Sequence, residues 1–260
     1  VAVTMTIPEN VSWITENKTK SVSTSTFYLD VAANETKEAR SAEITFSNEE
    51  SGLSEKITVN QEGKIYVPVT DMVDLGLSVK WVTCNIGATK PEEYGGYYQW
   101  AGLEDVSDLG ICLDWENCPY HTGSNFETGW TKYVPSDKSS YWSGSGNPDN
   151  KTVLDPGDDV AHVKLGGKWR MPTDAEWAEL IENCTWAWTT QNGVKGYKVT
   201  SKKSGYTSKF IFLPAAGYRY YDYLDDAGFN GYYWSSSLFT GIPIRAYDVY
   251  FSSGGVGTYS

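Results

Sequence analysis

GGKWRMPTDAEWAELIENCTW, residues 166–186, decides how the chain is read. Thr173 and Glu176 stand three apart. That is the spacing of a capping box, in which a hydroxyl takes one unpaired backbone N–H and a carboxylate reaches back to another. Behind the cap, Trp177, Leu180, Ile181 and Cys184 recur at i, i+3, i+4 and i+7 and make one apolar stripe. Asp174, Glu176, Glu179 and Glu182 take the other face, with acids in the first turn to suit the positive end of the helix dipole. The pattern predicts one main helix over about 173–184. After residue 70 the rest reads as short strands, turns and aromatic loops, so this helix should cover one side of a sheet. The acidic face reads as solvated rather than catalytic.

Working outward, the 260 residues suit one or two domains. Tryptophan (11) and tyrosine (19) are abundant, as in extracellular β-rich folds and binding loops. A net charge of −12 argues against nucleic acid, whose phosphates need a basic patch, and against an anionic membrane surface. No apolar run reaches membrane-spanning length. The chain opens on Val1 without a leader, and we read its start as trimmed, with room upstream for a lipid anchor but no direct membrane insertion.

Four cysteines (Cys84, Cys112, Cys118 and Cys184) lack zinc-ribbon spacing. Their even number, in a chain read as exported, favours disulfides. The expected pairs are Cys112–Cys118, which flank a short segment, and Cys84–Cys184. In the loop-entropy model, closing about a hundred residues would be worth roughly 4–5 kcal/mol. The alternative for Cys184 is a buried thiol on the apolar stripe.

The first stretch predicts strands at 1–7, 25–33, 41–47 and 55–61, separated by polar turns. Four strands without a helix suggest half of a β-sandwich. In the second stretch, Leu75, Leu77, Val79 and Trp81 alternate as a half-buried strand should, with a turn and a second strand at 91–100. Residues 101–160 form a long irregular tract. Further strands are expected at 196–203, 209–213, 232–237 and 245–252, with a turn-rich tract at 214–231.

Residues 11–14 (VSWI), 31–34 (VAAN), 40–44 (RSAEI) and 57–61 (ITVNQ) resemble the BACON domain, an immunoglobulin-like sandwich that accompanies surface enzymes and binding modules of Bacteroidetes. The resemblance covers about residues 1–63 and implies missing N-terminal strands. It implies a spacer or stalk, with carbohydrate binding the less favoured role. Residues 64–69 read as a linker. The order DLGLSVKWVTCNIGAT, GGKWRMPTDAEW, FLPAAGYR, GYYWSSS across 70–260 resembles the Fibrobacter succinogenes major paralogous domain family. That family is similar to formylglycine-generating enzymes and to the C-type-lectin-like architecture. The fold implied is α+β, mostly β: a partial immunoglobulin-like sandwich, then a C-type-lectin-like domain with one main helix and long loops. The resemblance also implies an exported protein, at the cell surface or extracellular, of the outer-membrane lipoprotein kind.

Chemistry is poorly supported. The related oxidases bind copper through a late cysteine pair, and no cysteine follows Cys184. Asp155, Asp158 and Asp159 could offer oxygen to Ca²⁺, although an acidic turn is the simpler reading, and 147–149 (NPD) only faintly echoes a lectin triplet. His121 and His162 are the two histidines, and no nucleophile elbow accompanies them. What remains is recognition, because Tyr and Trp give rigid apolar area with a polar tip. The candidate ligand-binding residues are Trp115, Tyr120, Trp130, Tyr133, Tyr141 and Trp142 in the long tract, and Tyr220, Tyr221 and Tyr223 after it. The expected partner is a carbohydrate or a host or bacterial surface protein, bound adhesin-like and without catalysis. The alternatives are a cryptic enzyme on the formylglycine-generating fold and a structural subunit of a surface assembly. The bland reading of every ring is that the loops bury their own aromatics.

Overall fold

The computed structural model describes residues 4–16, 27–32, 34, 39–61, 72–107, 118–122, 125–220 and 222–260. Two compact units make up the chain, Val1–Tyr66 and Val67–Ser260. Among the described residues strands far outweigh helices. The expected linker at 64–69 lies outside them.

In the first unit, β1 (Thr4–Thr6), β4 (Arg40–Asn48) and β5 (Leu53–Gln61) form one antiparallel sheet in the order β1-β4-β5. The short strands β2 (Ile14–Glu16) and β3 (Leu29–Val31) pair separately. Ile14, Ala42 and Ile44 are its buried centre, with Trp13, Phe46 and Val59 packed around them. Trp13 also lies under the Arg40 guanidinium, 4.2 Å from the ring centroid. Sequence reading missed β2, which carries only three residues.

The second unit begins with β6 (Met72–Val73) paired to β7 (Trp81–Val82). The strand expected over 75–81 is therefore not formed: its alternating residues run through bends, and Leu75, Leu77 and Val79 reach the core from a loop. No strand forms at 91–100 either. A short helix, α1 (Val160–Leu165), precedes the main helix α2 (Asp174–Asn183). Six residues, capped by Asp159, are too few for a periodic pattern to show.

The main helix forms as its sequence dictates. Thr173 Oγ1 accepts from the Glu176 N–H at 3.3 Å, and Glu176 accepts from the Thr173 N–H at 2.8 Å. Arg170 then clamps the Glu176 carboxylate with both terminal nitrogens, at 2.7 and 2.5 Å. Glu179 is not simply solvated, because it takes the Ser78 N–H at 3.1 Å. The apolar stripe is buried at Trp177, Leu180 and Cys184, with Ile181 packed against them.

Beyond α2 come β8 (Cys184–Gln191), β9 (Val194–Ser201) and β10 (Phe210–Pro214), an antiparallel sheet in the order β10-β9-β8. A small hairpin, β11 (Tyr218–Tyr220) and β12 (Tyr223–Asp225), follows. The last sheet is β13 (Asn230–Leu238), β14 (Ala246–Ser252) and β15 (Gly255–Tyr259), also antiparallel. Helix α2 contacts β8, β13, β14 and β15. One core forms where they meet: Trp177, Leu180, Tyr197, Val199, Ile211, Val249 and Phe251 are all buried there. A second core gathers Tyr133, Leu154, Val160, Ala161, Met171 and Leu238 around α1. Among the described residues no helix is long and apolar enough to cross a membrane.

The expected disulfides are overturned. Cys84, Cys118 and Cys184 are all thiols, and Cys112 lies outside the described residues. Cys184 packs as a small apolar side chain in the main core, and burial pushes its thiol up to about 11. The Cys84 thiol donates to the Ala88 carbonyl at 3.4 Å. Neither sulfur is engaged with the other, and Cys184 contributes through the apolar stripe instead. Denatured protein without reductant should therefore titrate at least three thiols, and Leu180→Ala should cost about 2–5 kcal/mol against urea, well beyond the ~1 kcal/mol expected for Thr173→Ala.

Candidate functional site

Alternation along β13 and β14 divides their side chains between two faces. Val249 and Phe251 turn into the main core, with Tyr233 stacked on Phe251 at 5.6 Å. Their neighbours Tyr232, Trp234, Asp248 and Tyr250 take the opposite face. There they line a cleft of about 640 Å³ together with Tyr259 of β15. Trp234 is 41% exposed, yet its ring is fixed by an indole N–H bond to the Tyr98 carbonyl at 3.1 Å. Tyr232 and Tyr250 meet at 5.0 Å, and Tyr250 and Tyr259 at 5.5 Å.

The long tract supplies Tyr120, Phe126, Trp130 and Tyr133, with Lys132 and Cys118, while Trp100 just before it and the β13–β14 connection at Pro243 and Ile244 add to the lining. Trp100 donates its indole N–H to the Ser235 carbonyl at 2.9 Å, which ties the start of the tract to β13. Tyr133 occupies the left-handed region, at φ 61°, a conformation costly for a bulky residue. Asp149 holds it there by accepting the backbone N–H groups of Tyr133 and Val134, each at 3.0 Å.

Behind these rings lies an ionic knot. The Tyr120 and Tyr133 hydroxyls both donate to the Asp158 carboxylate. Lys132 bridges Asp158 at 2.5 Å and Asp155 at 2.7 Å, and Lys151 pairs with Asp155. The ammonium of Lys132 also faces the Tyr120 and Tyr133 rings at 4.9 and 5.1 Å. Burial pushes the Asp158 carboxyl up, but the bonds from Lys132, Tyr120 and Tyr133 outweigh it and hold the group below its ordinary 3.8. Burial and the bond to Asp158 push the Tyr120 hydroxyl up to about 12.

This knot bears on the three aspartates considered as Ca²⁺ ligands. Asp155 and Asp158 are engaged by lysines and tyrosines, while Asp159 caps α1 and accepts the Met171 N–H at 2.8 Å. Among the described residues, no group of three or more His, Cys, Asp or Glu could hold a metal ion.

Of the expected ligand-binding residues, Tyr120, Trp130 and Tyr133 line the cleft. Trp130 and Tyr133 are largely buried, so each belongs as much to the packing as to the opening. Trp130 donates to the Phe126 carbonyl at 2.8 Å and packs on His121. The His121 ring nitrogen lies 2.8 Å from the Thr128 carbonyl. Tyr141 and Trp142 are half-buried and do not line the cleft; Trp142 folds back onto the Gly146 carbonyl at 3.0 Å. Tyr220 and Tyr223 are exposed on the β11–β12 hairpin and pack on each other at 5.8 Å, apart from the cleft lining. Trp115 and Tyr221 lie outside the described residues. The sheet rings Tyr232, Trp234, Tyr250 and Tyr259 were missed. The clue was present at Tyr250, which lies between the core residues Val249 and Phe251.

Residues 3–62 match the BACON family model, described as "Putative binding domain, N-terminal". The first unit carries a BACON domain. No curated protein and no solved structure matches the chain. The BACON match ends before the second unit, which holds the cleft.

The ionic knot gives the site an acid limit. Asp155 and Asp158 have folded values below their ordinary 3.8, so their contribution is complete above that value and is lost as pH falls below it. Urea denaturation at stepped pH should show stability declining below about pH 4, with a shallower decline in Asp158→Asn than in the parent.

Proposed function

We propose that the second unit is a non-enzymatic recognition head that binds glycan in the aromatic cleft, on an exported, adhesin-like surface protein. The observation that carries this reading is the sheet face of Tyr232, Trp234, Tyr250 and Tyr259, which opens onto a cleft of about 640 Å³ with few polar groups. That volume falls in the range of small-molecule sites, and apolar lining with a few placed polar groups is their usual makeup. Apolar faces of sugar rings pack on such side chains while their hydroxyls meet the polar groups. The fixed Trp234 ring loses little freedom on binding. Among the described residues of the cleft lining, Asp248 is the one side-chain carboxylate, and most glycoside hydrolases use a pair.

A C-type-lectin-like architecture for this head, and its kinship with the major paralogous family, belong to the same proposal. So does a spacer role for the BACON domain. A protein-contact reading draws on a different surface, the exposed Tyr220, Tyr223 and Leu224 of the β11–β12 hairpin. Screening the intact protein on a glycan array, followed by calorimetry on the best hit, separates the two. Trp234→Ala should weaken glycan binding about 30-fold or more, as loss of a central aromatic anchor does, while Tyr220→Ala/Tyr223→Ala should leave it unchanged. Retained affinity in Trp234→Ala would remove the cleft from consideration.

A further inference from the structure

We infer that Asp248 is the specificity-determining anchor of the cleft, selecting uncharged saccharides that present adjacent hydroxyls and rejecting acidic ones. This rests on the glycan-binding reading and gives it a ligand class. Strand register supplies the geometry. Trp234 is the cross-strand partner of Asp248, and Asp248 is in turn the partner of Tyr259. Directly opposed residues have Cβ atoms about 4.5–5.5 Å apart and point to the same face. The carboxylate therefore sits between two aromatic side chains in a single row across three strands, and all three residues line the cleft.

Asp248 is also the acidic group of the described cleft lining that the fold leaves open. Lys132 is held by Asp155 and Asp158, and Arg245 reaches the Ser260 carbonyl at 3.5 Å. The Asp248 carboxylate takes its own backbone N–H and no hydrogen bond from another described residue. Burial pushes its carboxyl above the ordinary value, which marks an acceptor partly stripped of water. Two hydroxyls on neighbouring sugar carbons can donate one to each carboxylate oxygen while the ring packs on Trp234 or Tyr259. A uronate or sialic-acid carboxylate placed against Asp248 would meet like charge, and none of the described lysines or arginines pairs with Asp248 to offset it.

Calorimetry with cello- and manno-oligosaccharides as neutral probes and oligogalacturonates as acidic probes tests this on the full chain, using Asp248→Asn and Trp234→Ala. The parent should bind a neutral probe and not the acidic ones. Asp248→Asn, with an unchanged melting temperature, should bind the neutral probe about tenfold to a hundredfold more weakly, as loss of a charge-assisted hydrogen-bond pair does, and should narrow the gap to the acidic probes. If Trp234→Ala abolishes binding but Asp248→Asn does not change it, the anchor assignment is overturned and the glycan reading stands. Binding of oligogalacturonate as tight as that of the neutral probes also overturns the assignment. If no probe binds the parent, or binding survives in both variants, the assignment and the glycan reading fall together.

Discussion

Burial of the Trp177–Leu180 stripe against two three-stranded sheets is the contact on which the second unit depends. Leu180 is fully buried, and Trp177 packs against Trp81 at 4.9 Å while donating to the Trp234 carbonyl at 3.3 Å. That last bond runs from the helix to the strand that carries the cleft's exposed tryptophan. The capping box and the Arg170 clamp fix where α2 begins, and the packing of α2 fixes where β13 lies. Local hydrogen bonding at residues 170–176 is thereby linked to the placement of the candidate binding surface.

The cleft has a different mechanical basis on each part of its lining. On the sheet, regular alternation presents Tyr232, Trp234, Asp248 and Tyr250 without any special device. In the long tract, irregular backbone must be held by named groups. Asp149 keeps Tyr133 in its left-handed conformation, and Asp158 gathers two tyrosines and a lysine. Buried networks of this kind are stable only when every member is satisfied, and here the donors of Tyr120, Tyr133 and Lys132 all find a carboxylate.

What the sequence disclosed follows from how local each feature is. The capping box spans four residues and the apolar stripe eight, so α2 was legible. The BACON resemblance rested on contiguous motifs, and the family match covers nearly the same residues. Pairing of cysteines a hundred positions apart depends on tertiary placement, which spacing does not encode; Cys184 served the core instead. The alternation at 75–81 looked like a strand, but a strand needs a partner along its length, and only Trp81–Val82 finds one. For the cleft, rings were sought in irregular segments. Tyr120, Trp130 and Tyr133 came from there, whereas Trp234, Tyr250 and Tyr259 sit in plain strands, where an aromatic residue serves sheet packing equally well.

Strand β14 has one consequence beyond its role in the sheet. Val249 and Phe251 belong to folding, while Asp248 and Tyr250 belong to the opening, and the pleat keeps the two sets on opposite sides. Selection can thus rewrite the chemistry of the open side by substitution while the closed side keeps its shape. A lineage built on this scaffold is free to vary that opening without relearning how to fold.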